Sequence, residues 1–231
     1  MSRKPDAVVM QAAVLALFHA VTPAFVRPRI TRPAAARPGT IVAFTHATDL
    51  DVPVAVSSMI PLWRGPRWIG RTTFAGKSDL FLPGFLALAF PQLGPLRRPL
   101  FGVELRPVLR SLRVVPVSKS GPRLVAEWLY ELQGVYGGAA PAAPLLSDAW
   151  QAELRAAGVP ADATLAQLHA WPYHRLLARE AGAELLSPGA ARRLRLHEAH
   201  AARDTLEELA RPLREGALLF MAPEGELSPD G

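Results

Sequence analysis

The chain of 231 residues contains no cysteine, and this excludes a disulfide scaffold, a thiol nucleophile and a zinc ribbon. Lysine is nearly as scarce, with three residues against 23 arginines. Aromatic residues are 7% of the chain, too sparse to interleave with arginines as a nucleic-acid stacking platform requires. Gly-x-Ser-x-Gly and phosphate-loop signatures are both missing. No internal repeat is present. Half of the residues are apolar and a fifth charged, so the chain can bury a core and is not disordered throughout.

Charge is unevenly spread. Residues 1–120 carry a net +11 and residues 121–231 a net −5. The basic half requires an anionic counterpart, such as a membrane surface or a phosphorylated substrate. Val8 to Val26 is a 19-residue, mostly apolar run, roughly 28 Å long if helical. A signal peptide is disfavoured because no small-residue cleavage site follows. A spanning helix, a helix lying in one leaflet and a soluble packing helix remain open. Gln11, His19, Thr22 and Pro23 within the run, and Arg27, Arg29, Arg32 and Arg37 after it, favour the in-plane helix.

Beyond this run, β-branched stretches predict strands at 40–45, 71–75, 113–117 and 217–221. Helical spacing marks 54–62, 124–135 and 197–211, and the apolar stretch 81–90 also reads as helical despite Pro83-Gly84. Residues 137–146 read as a loop, and short helical pieces follow to residue 195. Strands alternating with helices predict an α/β fold, with a mixed, largely parallel sheet flanked by helices. The expected organisation is a membrane-associating segment over 1–38 and a single domain over 39–231. The latter carries a helical insertion at 137–195.

Two constellations carry chemistry. His46 closes the first strand, with Asp51 five residues on. A carboxylate at that spacing can hold one imidazole nitrogen and leave the other to take a proton from a hydroxyl. Near the other end, Pro223-Glu224-Gly225-Glu226-Leu227-Ser228 follows the last strand, in a turn whose amides can cradle an anion. Taken singly, a capping Asp with an incidental His and an ordinary strand–turn are the plainer readings. His197, His200 and Asp204 have helical spacing that a metal could use, but a solvated helix face is the better reading, and no metal site is expected.

Taken together, the two constellations resemble the glycerolipid acyltransferase family, which includes the 1-acyl-glycerol-3-phosphate acyltransferases. That family is marked by His-x4-Asp and by a later Pro-Glu-Gly block ending in Ser. Here these are His46-x4-Asp51 and Pro223-Glu224-Gly225-x-x-Ser228. Ala75-Gly76-Lys77-Ser78-Asp79-Leu80-Phe81 and Val114-Val115-Pro116-Val117-Ser118-Lys119 resemble two intervening blocks, in the family's order. The resemblance covers residues 40–120 and 197–231.

It implies an O-acyltransferase that moves a fatty acyl group from acyl-CoA or acyl carrier protein to a lysophospholipid or glycerol-phosphate hydroxyl. His46 would be the general base and Asp51 would orient it. Glu224 and Gly225, with Pro223 and Ser228, would shape the acceptor site. Lys119 would bind the acceptor phosphate, with help from Lys77 or Arg113. No metal or redox cofactor is implied. The implied location is a membrane surface, the cytoplasmic face of the cell membrane.

Thr45, Lys119 and Glu226-Leu227 stand where the family has Asn, Arg and Thr-Arg, which points to an acceptor less dependent on its phosphate. The family also continues past Pro-Glu-Gly with further strands and a helix, while this chain stops at Gly231. A truncated, non-catalytic relative that binds a membrane or a partner is therefore the alternative expectation.

Overall fold

A computed structural model describes residues 5–25, 37–43, 54–56, 60, 68–118 and 122–221. The protein is an α/β structure with helices flanking a four-stranded sheet, and two compact units divide the chain. One unit gathers residues 1–77, 107–118 and 204–231; the other gathers 78–106 and 119–203.

The first unit is built on the sheet. Its strands are β1 (Ile41–Ala43), β2 (Thr72–Lys77), β3 (Val114–Val117) and, after two short strands of the other unit, β6 (Leu218–Met221). Their order is β1-β6-β2-β3 and every pairing is parallel, where the sequence suggested a mixed sheet. Each strand is separated from the next in sequence by a stretch long enough for a crossover, which parallel neighbours require.

The α1 helix (Pro5–Phe25) covers one face of the sheet. Leu15 joins Trp68, Leu218 and Phe220 in a buried layer, and Phe74 stacks on Phe220 with centroids 5.5 Å apart. Alternation along β6 turns Leu219 and Met221 to the other face, where they meet Val115, Leu209 and Leu213. Leu209 and Leu213 belong to the last turns of a long helix, Pro188–Arg214, which ends before Gly216. Gly216 has φ +81°, and an added Cβ would come within 3.2 Å of the Pro38 side chain, so a residue without a side chain suits this turn.

Gln11 fixes α1 to the sheet unit. Its side-chain amide donates to the carbonyls of Thr72 (2.8 Å) and Leu112 (3.0 Å), and its oxygen accepts the Gly70 N–H (2.7 Å). The buried side of α1 runs through Gln11, Leu15 and Thr22, while Val9 and Leu17 on the outer side are 69% and 56% exposed. Among the described residues, no helix is long and apolar enough to cross a membrane.

The second unit is mostly helical. Its α elements are α2 (Phe85–Ala89), α4 (Val125–Tyr136), α5 (Asp148–Ala156), α6 (Leu165–Leu168), α7 (His174–Leu177) and the first part of α8 (Pro188–Arg214). The short helix α3 (Arg106–Ser111) leads back into the sheet unit. Strands β4 (Arg123–Leu124) and β5 (Glu180–Ala181) pair antiparallel. One continuous core, centred on Leu129, Leu132, Leu165, Leu168, Leu177 and Leu185, fills the unit.

Two boundaries differ from the sequence reading. The stretch 81–90 is a 3-10 turn (Ser78–Phe81) followed by α2, because Pro83-Gly84 interrupts it. α8 begins at Pro188 rather than at His197. Proline at the first helical position loses no hydrogen bond, and Ser187 Oγ accepts the Ala190 N–H at 3.4 Å, so Ser187-Pro188-Gly189 starts a helix.

Candidate active site

The geometry bearing on a site lies at the carboxyl edge of the sheet. β1 and β6 are neighbours in register, with Ala43 opposite Met221. Both strands run the same way, so the chain leaves them from one edge: β1 ends three residues before His46 and β6 two residues before Pro223. On the other side of β6, Phe220 is opposite Phe74 of β2, and β2 continues to Lys77. Lys77 is opposite Val117, the last residue of β3, two residues before Lys119. All four sequence blocks therefore follow or end the carboxyl ends of four adjacent parallel strands. In open α/β sheets, ligands bind outside this edge, at the point where strand order reverses. The reversal lies at β6, which returns between β1 and β2.

Of the residues singled out for the acceptor site, Lys77 and Arg113 are described. Lys77 is half-buried at the end of β2, and among the described residues no carboxylate pairs with it. His46, Asp51, Lys119, Pro223, Glu224, Gly225 and Ser228 lie outside the described residues.

Arg113 is not brought to this edge. It precedes β3 at the opposite end, about 13 Å of strand from the level of Lys77. Its guanidinium donates to the Gly70 carbonyl at 2.8 Å, and its backbone is in the left-handed region at φ 61°. Burial lowers its pKa, Glu215 opposes that shift and Arg211 adds to it. It braces the amino edge of the sheet and does not assist at the carboxyl edge.

The sequence reading also missed a narrow apolar crevice between α1 and the sheet, with room for about one or two water molecules, lined by Val14, Leu15, Ile60, Ile69, Phe74 and Leu112 among others. Gln11 borders it with both amide atoms already engaged, so the crevice presents hydrocarbon. The signal available in the sequence was Gln11, the one side-chain amide in the mostly apolar run 8–26.

Arg123 in the helical unit was also overlooked. It is buried and donates to Glu131 (2.7 Å) and Glu198 (2.8 Å), with its guanidinium 4.7 Å from the Trp128 ring centroid. Burial pushes the Glu131 pKa up to about 7; Arg123 counters this, and the Glu198 and Glu127 charges add to it. Among the described residues, no group of three or more His, Asp or Glu is placed to hold a metal ion. His200 turns its Nδ1 to the Leu196 carbonyl of its own helix at 2.7 Å.

Neither protein-family models nor curated proteins nor solved structures yielded a match to this chain.

Proposed function

We propose that the protein is a membrane-associated O-acyltransferase. It transfers a fatty acyl group from acyl-CoA or acyl carrier protein to a hydroxyl of a lysophospholipid or glycerol phosphate, at the cytoplasmic face of the cell membrane. The observation that carries this reading is the parallel, in-register pairing of β1 with β6, Ala43 opposite Met221. The His-x4-Asp and Pro-Glu-Gly blocks are 177 positions apart, from His46 to Pro223, yet each follows the carboxyl end of one of two adjacent strands. A reaction that needs both blocks at one substrate requires such a topology.

In this reading, His46 takes the proton of the acceptor hydroxyl as its oxygen attacks the thioester carbonyl carbon. Asp51 holds the imidazole and stabilises its charged form. The tetrahedral intermediate collapses, the C–S bond breaks, and the thiolate leaves with the proton returned by His46. Donors facing the oxyanion supply much of the rate. Lys77 and Lys119 attract the acceptor phosphate, and Glu224 and Gly225 shape the acceptor site. The exposed apolar side of α1, with Val9 and Leu17, suits an in-plane helix at a lipid surface.

The test is thiol release from acyl-CoA or acyl carrier protein in detergent micelles, with and without lysophosphatidate. The cysteine-free chain adds no thiol background. Acceptor-dependent release should fall about 1,000-fold in His46→Ala with circular dichroism unchanged. Release that survives the substitution would remove His46 from the mechanism. Absence of acceptor-dependent release with either donor would overturn the acyltransferase reading.

A further inference from the structure

The helical unit exposes a row of apolar side chains that its core does not use. Between Phe90 and Val103 the chain forms short 3-10 turns, over Pro91–Arg97 with a break at Gly94 and over Pro99–Gly102. Leu96 is 74% exposed, and Phe90, Leu93 and Val103 are also exposed. Single exposed apolar residues are ordinary, but a run of them beside cations marks an interaction surface. Arg97 and Arg98 follow Leu96 directly, and Arg106 closes the segment. Arg97 lies over Trp171 at 5.7 Å and Arg106 over Tyr130 at 5.2 Å. Among the described residues, none of the three has a carboxylate partner. From Leu80 to Arg106, Glu104 is the sole acidic residue.

The segment is held from behind. Phe101 packs on Trp171 (5.7 Å) and His169 (5.9 Å), and a Cβ at Gly84 would come within 2.9 Å of the Phe101 carbonyl oxygen. The Gly84 N–H donates to the Val103 carbonyl at 3.4 Å. Pro91, Pro95 and Pro99 carry no N–H, so the segment brings fewer unpaired donors into an apolar medium than an ordinary loop would.

We propose that Phe90–Val103 is a second membrane-docking element, which seats Leu93 and Leu96 in the interface of an anionic bilayer while Arg97, Arg98 and Arg106 meet lipid phosphates. Charge complementarity selects this occupant. A two-fold contact between copies would set these arginines against their own counterparts. A bilayer supplies anionic headgroups over hydrocarbon, which matches cations beside projecting apolar side chains. The inference extends the membrane surface named above to a different unit of the chain, and it does not depend on acyl transfer.

The experiment uses the full chain carrying Leu96→Cys, labelled at that one thiol with an environment-sensitive fluorophore. Vesicles of equal phosphatidylglycerol and phosphatidylcholine should shift its emission to the blue, and brominated lipid should quench it. Phosphatidylcholine alone should do neither. In the unlabelled chain, Leu93→Glu with Leu96→Glu should lower partitioning into the anionic vesicles about tenfold or more, and Arg98→Ala about fivefold. Circular dichroism should not change.

A chain that sediments with vesicles while the label keeps its aqueous emission would overturn this proposal and leave the membrane reading standing. A chain that does not sediment with vesicles at all would overturn both. A shift without vesicles that grows with protein concentration would assign the patch to contact between copies. A shift induced by polyglutamate but not by vesicles would assign it to an acidic protein. Either of these two results also overturns the proposal.

Discussion

The sheet unit and the helical unit differ in how they pack: the first is a thin sheet that carries most of the sequence blocks read as a site, the second a thicker body around one core. In the sheet unit, short strands carry two thin apolar layers, one under α1 and one under the end of α8. The blocks at His46–Asp51 and Pro223–Ser228 follow the ends of two of those strands. In the helical unit a single core joins α4 to α8, and no residue read as catalytic falls within it. Strands need only enough packing to hold their register, whereas loops at strand ends are free to carry reactive groups.

Leu132→Ala and Leu218→Ala give the strongest test of that division. Both side chains are fully buried, one in each unit, and each truncation should cost about 3 kcal/mol. Hydrogen exchange read by mass spectrometry should show Leu132→Ala loosening peptides from α4 to β5 and sparing β6, and Leu218→Ala the reverse. Equal acceleration in both units for either variant would mean that the chain unfolds as one cooperative body, and the division would fail.

A smaller effect is expected at Gln11. Replacing it with Leu keeps the apolar packing of α1 but strands the Gly70 N–H and the carbonyls of Thr72 and Leu112. The expected loss is about 2 kcal/mol, confined to the sheet unit, read from a urea midpoint. An unchanged midpoint would mean that water replaces the amide at no cost.

Gln11 also shows what the sequence could not convey. The strands were legible because β-branched runs such as Ile41-Val42 and Val114-Val115 stand between turn residues, and the helices because apolar spacing repeats. Strand order was not, since nothing local puts β6 between β1 and β2. The common edge of the two motif blocks therefore emerged only in the fold. Within the apolar run 8–26, Gln11 and Thr22 read as interruptions of a membrane helix; they lie on its buried side. The resemblance implied Arg113 as a helper at the acceptor phosphate, whereas its place at the opposite edge comes from a backbone contact that no pattern encodes.

The smallest effect concerns pH. Glu131 in the folded helical unit titrates at about 7, raised chiefly by burial, with Arg123 opposing and Glu198 and Glu127 adding to the shift. In the unfolded chain it returns to the ordinary carboxylate range. Between the two values the folded state binds the extra proton, so stability is greatest in acid and falls as pH rises through 7. Across that window the loss from this group is about 1–3 kcal/mol. Glu131→Gln cannot lose a proton, yet it keeps an oxygen for Arg123 and an N–H for Glu198. At pH 5 the variant should match the parent, whose Glu131 is protonated. By pH 8 it should be the more stable, with a flatter urea midpoint against pH. The change should also be local: amides of α4 should gain protection at pH 8 and those of β6 should not. Parallel pH profiles would show that Arg123 keeps Glu131 ionised throughout. A gain shared by β6 would show that stability passes from the helical unit to the sheet.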